Sequence, residues 1–170
     1  MLPDPLHPAI VHYPIVLATL LPLAAIVALI LIARGLNARK TWAFVVVLSA
    51  LLAVASYVAV KTGESQEDVV EEVVAEEPIH EHEEAGERML IFSGIGVLLM
   101  GLGLANGGLG RGGRWIGTAG SVAILVAAYQ VGRLGGELVY EHGAAQAYLE
   151  EAVPGSVPEA TESGEEPDED

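Results

Sequence analysis

Four stretches of the chain carry no Asp, Glu, Lys or Arg: residues 15–33, 42–60, 89–105 and 115–132, of 19, 19, 17 and 18 residues. At about 1.5 Å per helical residue each reaches roughly 26–28 Å, close to the hydrocarbon thickness of a bilayer at about 30 Å. Charges are dense between these stretches and absent within them. A soluble protein of four core helices needs a polar shell, and no sequence is left to build one. The pattern predicts an all-α, integral membrane, up-down four-helix bundle. Its spans are placed at about 10–33, 42–61, 88–106 and 115–136, within one domain covering residues 1–149. No cleavable leader is evident, because residues 1–7 hold no Lys or Arg and the apolar run is too long, so the first run is expected to be a retained membrane helix.

The long polar connection is patterned too. In the run EDVVEEVVAEE, Val69 with Val73 and Val70 with Val74 stand four residues apart between acidic pairs. This predicts an amphipathic helix over 64–77 that prolongs helix two into water and is ended by Pro78. Two roles fit it: a docking surface for a basic partner, or a solvated cap that packs its valines on helices one and four. The segment 150–170 is rich in Pro, Gly, Ser and acids and is expected to be a disordered acidic tail. So many acids also suit a saline habitat.

Charge then sets direction. The first and third connections hold Arg34, Arg39, Lys40, Arg111 and Arg114 and no acid, while all 23 acidic residues lie on the other side. One face therefore carries +5 and the other −20 within a formal net charge of −15. Basic loops stay in the cytoplasm. Both termini are thus expected on the outer, periplasmic side of a bacterial cytoplasmic membrane. Trp42 and Trp115 end up at the cytoplasmic ends of helices two and four, where interfacial anchors belong. With no cysteine, disulfides, thiolate metal sites and cysteine nucleophiles are excluded.

Histidine is the chemical signal. His7, His12, His80, His82 and His142 all fall on the outer side near helix ends, and the basic side has none. Imidazole ligates haem iron and several divalent metals. A b-type haem needs two such ligands from separate helices and room for a flat macrocycle. Helix four offers a small-residue stripe, Ala128, Gly132, Gly135, Val139 and His142, with Gly136 beside it. Helix three offers His82, Gly86, Ser93, Val97 and Gly101. Close helix packing explains such glycines equally well. His7 and His12 differ by five positions, about 140° around a helix, so they do not share one iron. The expectation is that His12, His82 and His142 converge and that two of them ligate one haem b. His7 is the fourth ligand if a second haem binds. Arg133 either pairs with Glu137 four residues on or holds a haem propionate. Pro14 and Pro22 are expected to kink helix one.

Four segments, HPAIVHYPIVL (residues 7–17), KTG (61–63), HEEAGERMLI (82–91) and GGELVYEHG (135–143), carry a resemblance. They are similar to the bacterial membrane family called domain of unknown function 2231, whose members begin with His-Pro-x-x-Val-His-Phe-Pro-Ile and end with Gly-Gly-x-Leu-Val-Tyr-x-His-Gly. Here Tyr13 replaces the usual Phe. The resemblance implies a four-helix membrane fold with His7, His12, His82 and His142 as motif histidines and His80 as an extra. The family has no assigned activity. Relatives joined to Rieske-type iron–sulfur or c-type cytochrome modules imply a respiratory neighbourhood and such proteins as partners.

Three functions fit the residues. The first is a haem-binding electron-transfer subunit with ligands from the motif histidines, bordered by Gly132, Gly135, Gly136 and Arg133. The second binds or senses a divalent metal through His12, His82 and His142. The third is a cofactor-free structural or assembly protein whose histidines cap the outer helix ends. An electron-transfer or binding role is favoured over an enzyme, because hydrolase triads, His-Glu-x-x-His and phosphate-cradling loops are absent. A transporter lacks intramembrane charge, Gln130 being the most polar residue inside a span. The bilayer is the expected environment and a homo-oligomer is compatible with it. Nothing points to nucleic acid.

Overall fold

The computed structural model describes residues 5–148. The expected tail at 150–170 and the first four residues lie outside the described residues. Those described form six helices: α1 (His7–Ile10), α2 (His12–Ala33), α3 (Ala38–Glu64), α4 (Glu67–Glu71), α5 (Glu76–Leu102) and α6 (Gly107–Tyr140). They include no strand. Four helices are long and apolar enough to cross a membrane: His7–Ala33, Ala38–Glu64, Glu76–Leu102 and Gly107–Tyr140. The second and fourth extend beyond their apolar runs at both ends, and the first and third do so at their N-terminal ends.

The long helices alternate in direction and close into a four-membered ring. α2 touches α3 and α6, and α5 touches the same two. Four-residue connections enforce it between α2 and α3 and between α5 and α6, while a longer segment holding α4 joins α3 to α5. Between α2 and α3 the chain turns at Gly35, whose φ of 98° suits glycine. There Leu36 N–H donates to the Leu31 carbonyl and Gly35 N–H to that of Ile32, the Schellman pattern of a helix end. Asn37 then caps α3 by accepting from Lys40 N–H at 3.0 Å.

Large apolar side chains such as Phe44, Leu98 and Val126 point outward, while Ser49, Ser56, Ser93 and Ser121 are buried inside. That inversion is expected when the solvent is hydrocarbon and helices associate by close packing of small residues. Ser93 returns its hydroxyl to the Met89 carbonyl and lies 3.4 Å from the Ser56 hydroxyl.

Trp42 departs from its expected place. It is fully buried, and its indole N–H donates to the Met100 carbonyl at 2.8 Å. It packs where α5 has only Gly103. The same carbonyl also accepts from Gly103 N–H at 3.0 Å, so the indole adds a second donor at this helix end. Trp115, by contrast, is exposed as an anchor should be.

The acidic connection is also corrected. Helix two does not continue over 64–77. α3 ends at Glu64, the chain turns, and α4 is a separate short helix. Pro78 ends nothing; it is the third residue of α5, a position whose N–H has no partner within its own helix. Burial explains the change. A straight extension would carry Val70 and Val74 into water, whereas folding back packs them with Ile79, Leu138 and Ala144. The valines thus dock on the end of helix four (α6), as expected, and on helix three (α5) in place of helix one. Val69 and Val73 stay partly exposed.

Helix one lacks one bond. Pro14 cannot donate to the Ile10 carbonyl, and regular bonding lapses at Val11, between α1 and α2, where the backbone stays helical. Pro22 is accommodated within α2 without ending it.

Candidate functional site

Each long helix presents its interior face at spacings of seven. On α1 and α2 these positions are His7, Pro14, Leu21 and Ala28; on α3 they are Trp42, Ser49, Ser56 and Gly63. On α5 they are His82, Met89, Gly96 and Gly103, and on α6 Ser121, Ala128 and Gly135. The middle members of every series are buried. A seven-residue repeat keeps one face inward along helices that pack lengthwise. It also places His7, Gly63, His82 and Gly135 together at one end of the ring, the end where the described chain begins and finishes.

The contacts bear this out. The His7 and His82 rings lie edge to face with centres 6.2 Å apart and planes at 85°. A Cβ on Gly63 would come within 3.2 Å of His7 Cε1, and one on Gly135 within 3.0 Å of His82 Cε1. Both distances are tighter than ordinary packing, so the two glycines make the room that the rings occupy.

Hydrogen bonds orient the ring of His7, while His82 faces the Val131 backbone and keeps one nitrogen unserved. His7 Nδ1 lies 2.9 Å from the Ala59 carbonyl and 3.2 Å from Thr62 Oγ1. A carbonyl only accepts, so Nδ1 carries the proton and Nε2 holds the free lone pair. His82 Nδ1 is buried with no hydrogen-bond partner. Buried polar atoms are seldom left so; Ser49 Oγ, mid-bundle, is the other such atom among the described residues.

The remaining candidates fall elsewhere. His12 is exposed on α2, two positions before the inward Pro14 and hence about 160° around the helix from it. His142 would continue the inward series of α6, but that helix stops at Tyr140 and Gly143 turns the chain with φ of 74°. His142 is therefore exposed, at the rim of a shallow cavity of about 240 Å³ with Glu77, Glu81 and Glu137. His12, His82 and His142 do not converge as expected; His7 takes the place given to His12. Among the described residues no three His, Asp or Glu side chains are grouped to hold a metal ion. His80 faces Glu84 on its own helix, Nε2 to Oε1 at 3.3 Å. Arg133 pairs with Glu137, and Gly132 and Gly136 have no close neighbour. Only Gly135 of the three helix-four glycines touches a histidine.

The family model described as predicted membrane protein (DUF2231) matches residues 3–147. The chain belongs to this family. No curated protein and no solved structure matches it. In this DUF2231 chain the four motif segments, far apart in sequence, each send one residue to the same point: His7, Gly63 with Thr62 beside it, His82 and Gly135. Sequence reasoning missed Thr62 and Gly63 as site residues, although the KTG segment that holds them was legible.

Proposed function

We propose that this multi-pass membrane protein is an electron-transfer subunit in which His7 and His82 would hold one b-type haem. The observation that carries the reading is the histidine pair itself. The two rings come from separate helices and stand edge to face with centres 6.2 Å apart, so one ring must turn before both nitrogens face one iron. The donor chemistry fits: two imidazoles from separate helices, one lone pair freed by the Ala59 bond and one unpartnered nitrogen on His82. The Ala59 carbonyl and Thr62 Oγ1 face Nδ1 of His7 in the way that outer partners orient metal-binding histidines. Haem held this way supplies one-electron transfer. A divalent ion held by the protein alone would find only these two imidazoles.

The charge asymmetry supports a direction, with the histidine end on the outer side of a bacterial cytoplasmic membrane and the five basic residues inside. Respiratory iron–sulfur or c-type cytochrome proteins are the partners that fit such a site. A reporter fused after Asp170 is expected to read the periplasm and one inserted near Asn37 the cytoplasm. A fusion after Asp170 active only in the cytoplasm refutes the orientation.

To test ligation, the protein is purified after expression with ample haem and its absorption recorded. A Soret band is expected in the parent, in His12→Ala and in His142→Ala, and not in folded His7→Ala or His82→Ala. A parent without haem, or a band unchanged in both of the latter variants, sinks the reading. A second reading, a cofactor-free latch at the helix ends, is favoured by the direct bond from His7 to α3. It accounts for His7 but not for the open nitrogen of His82.

A further inference from the structure

We propose that Thr62 is a positioning residue: with the Ala59 carbonyl it holds the ring of His7 in one tautomer and thereby pins α1 to α3. The inference deepens the reading above, yet its core concerns the cofactor-free protein.

Three observations converge on Thr62. Its hydroxyl lies 3.0 Å from both the Val58 and the Ala59 carbonyl, so it donates back into its own helix. With its proton so committed, Oγ1 turns a lone pair outward, 3.2 Å from His7 Nδ1. The Nδ1 proton is thus shared between two acceptors, the Ala59 carbonyl and Thr62 Oγ1. A ring flipped to present Nε2–H would leave both unserved.

The second observation is the sparse packing of the first turn of helix one, which stays helical through Val11. α1 has no buried residue. Little apolar packing holds it, so the polar tie from His7 to the last turn of α3 carries an unusual share of its attachment. The third is Gly63. It clears the place where the His7 ring lies, since a Cβ there would stand 3.2 Å from Cε1. Threonine grips and the following glycine makes room, which gives the adjacent pair Thr62–Gly63 a joint physical purpose.

The test uses two variants of the full chain, Thr62→Val and Thr62→Ser, both without haem. Valine keeps the branched shape and loses the hydroxyl; serine restores it. Nitrogen NMR of labelled histidine reports the tautomer of His7, and hydrogen exchange reports the attachment of residues 7–11. The parent and Thr62→Ser are expected to show a single Nδ1-protonated ring. Thr62→Val is expected to show a tautomer mixture and about fivefold faster exchange over residues 7–11, the effect of losing one hydrogen bond. A merely structural threonine would alter exchange and leave the tautomer alone. Parent-like signals in Thr62→Val, or a Thr62→Ser that behaves like Thr62→Val, overturn the proposal. Because neither measurement needs haem, a colourless parent refutes the haem reading and leaves this result standing.

Discussion

Gly113→Ala is expected to lower the unfolding midpoint of the detergent-solubilised protein sharply, while Gly112→Ala, one residue away, leaves it unchanged or raises it. A Cβ on Gly113 would stand 2.6 Å from Gly103 N and from the Leu102 carbonyl carbon. Both are backbone atoms of the turn that links α5 to α6, and neither can rotate aside. The helix must shift, at a cost of about 1–3 kcal/mol for overpacking. Gly112 meets nothing within 4 Å. There alanine only removes the conformational freedom of glycine, a gain of roughly 0.5–1 kcal/mol in a helix. Thermal or denaturant unfolding followed by circular dichroism decides the matter. Equal shifts in the two variants would show that the close approach of α6 to that turn is wrong.

The second large effect belongs to the histidine end. Gly135→Ala would bring a Cβ to 3.0 Å from His82 Cε1, whereas the same change at Gly136 meets open space. The ring of His82 must then tilt away from His7. Haem affinity is expected to fall about tenfold in Gly135→Ala, as when a partner that orients a ligand is lost, and to hold in Gly136→Ala. Haem titration of the two variants measures this. Equal affinities would mean that Gly135 does not set the position of the ring.

The number of spans was plain in the sequence because charge-free runs of this length have few other solutions, and the resemblance to the family agreed with them. Which face of each helix turned inward was harder to see. With lipid outside, both faces are apolar, and amphipathic contrast vanishes. The informative sign was instead the seven-residue series of small or special residues, such as Trp42, Ser49, Ser56 and Gly63. Run back from Pro14, that spacing selects His7 and rejects His12. Two further features depend on contacts between distant segments. Val74 could be read as amphipathic from its neighbours, but its burial against Leu138 and Ala144 made the chain fold back after α3. Likewise the role of Trp42 required Gly103, 61 positions away in the chain.

The buried indole of Trp42 has a mechanical consequence. Around it, the Met100 carbonyl accepts the indole N–H and the Gly103 carbonyl accepts from Arg114 Nη1 at 2.7 Å. These bonds join α3, α5 and α6 where their connecting turns are shortest. At the far end α1 has no buried residue, and α3 reaches α5 only through a long connection. The tryptophan end is thus cross-tied through three helices by side chains that bond main-chain carbonyls, while the histidine end is held by the Val74–Leu138 cluster and the single ring of His7.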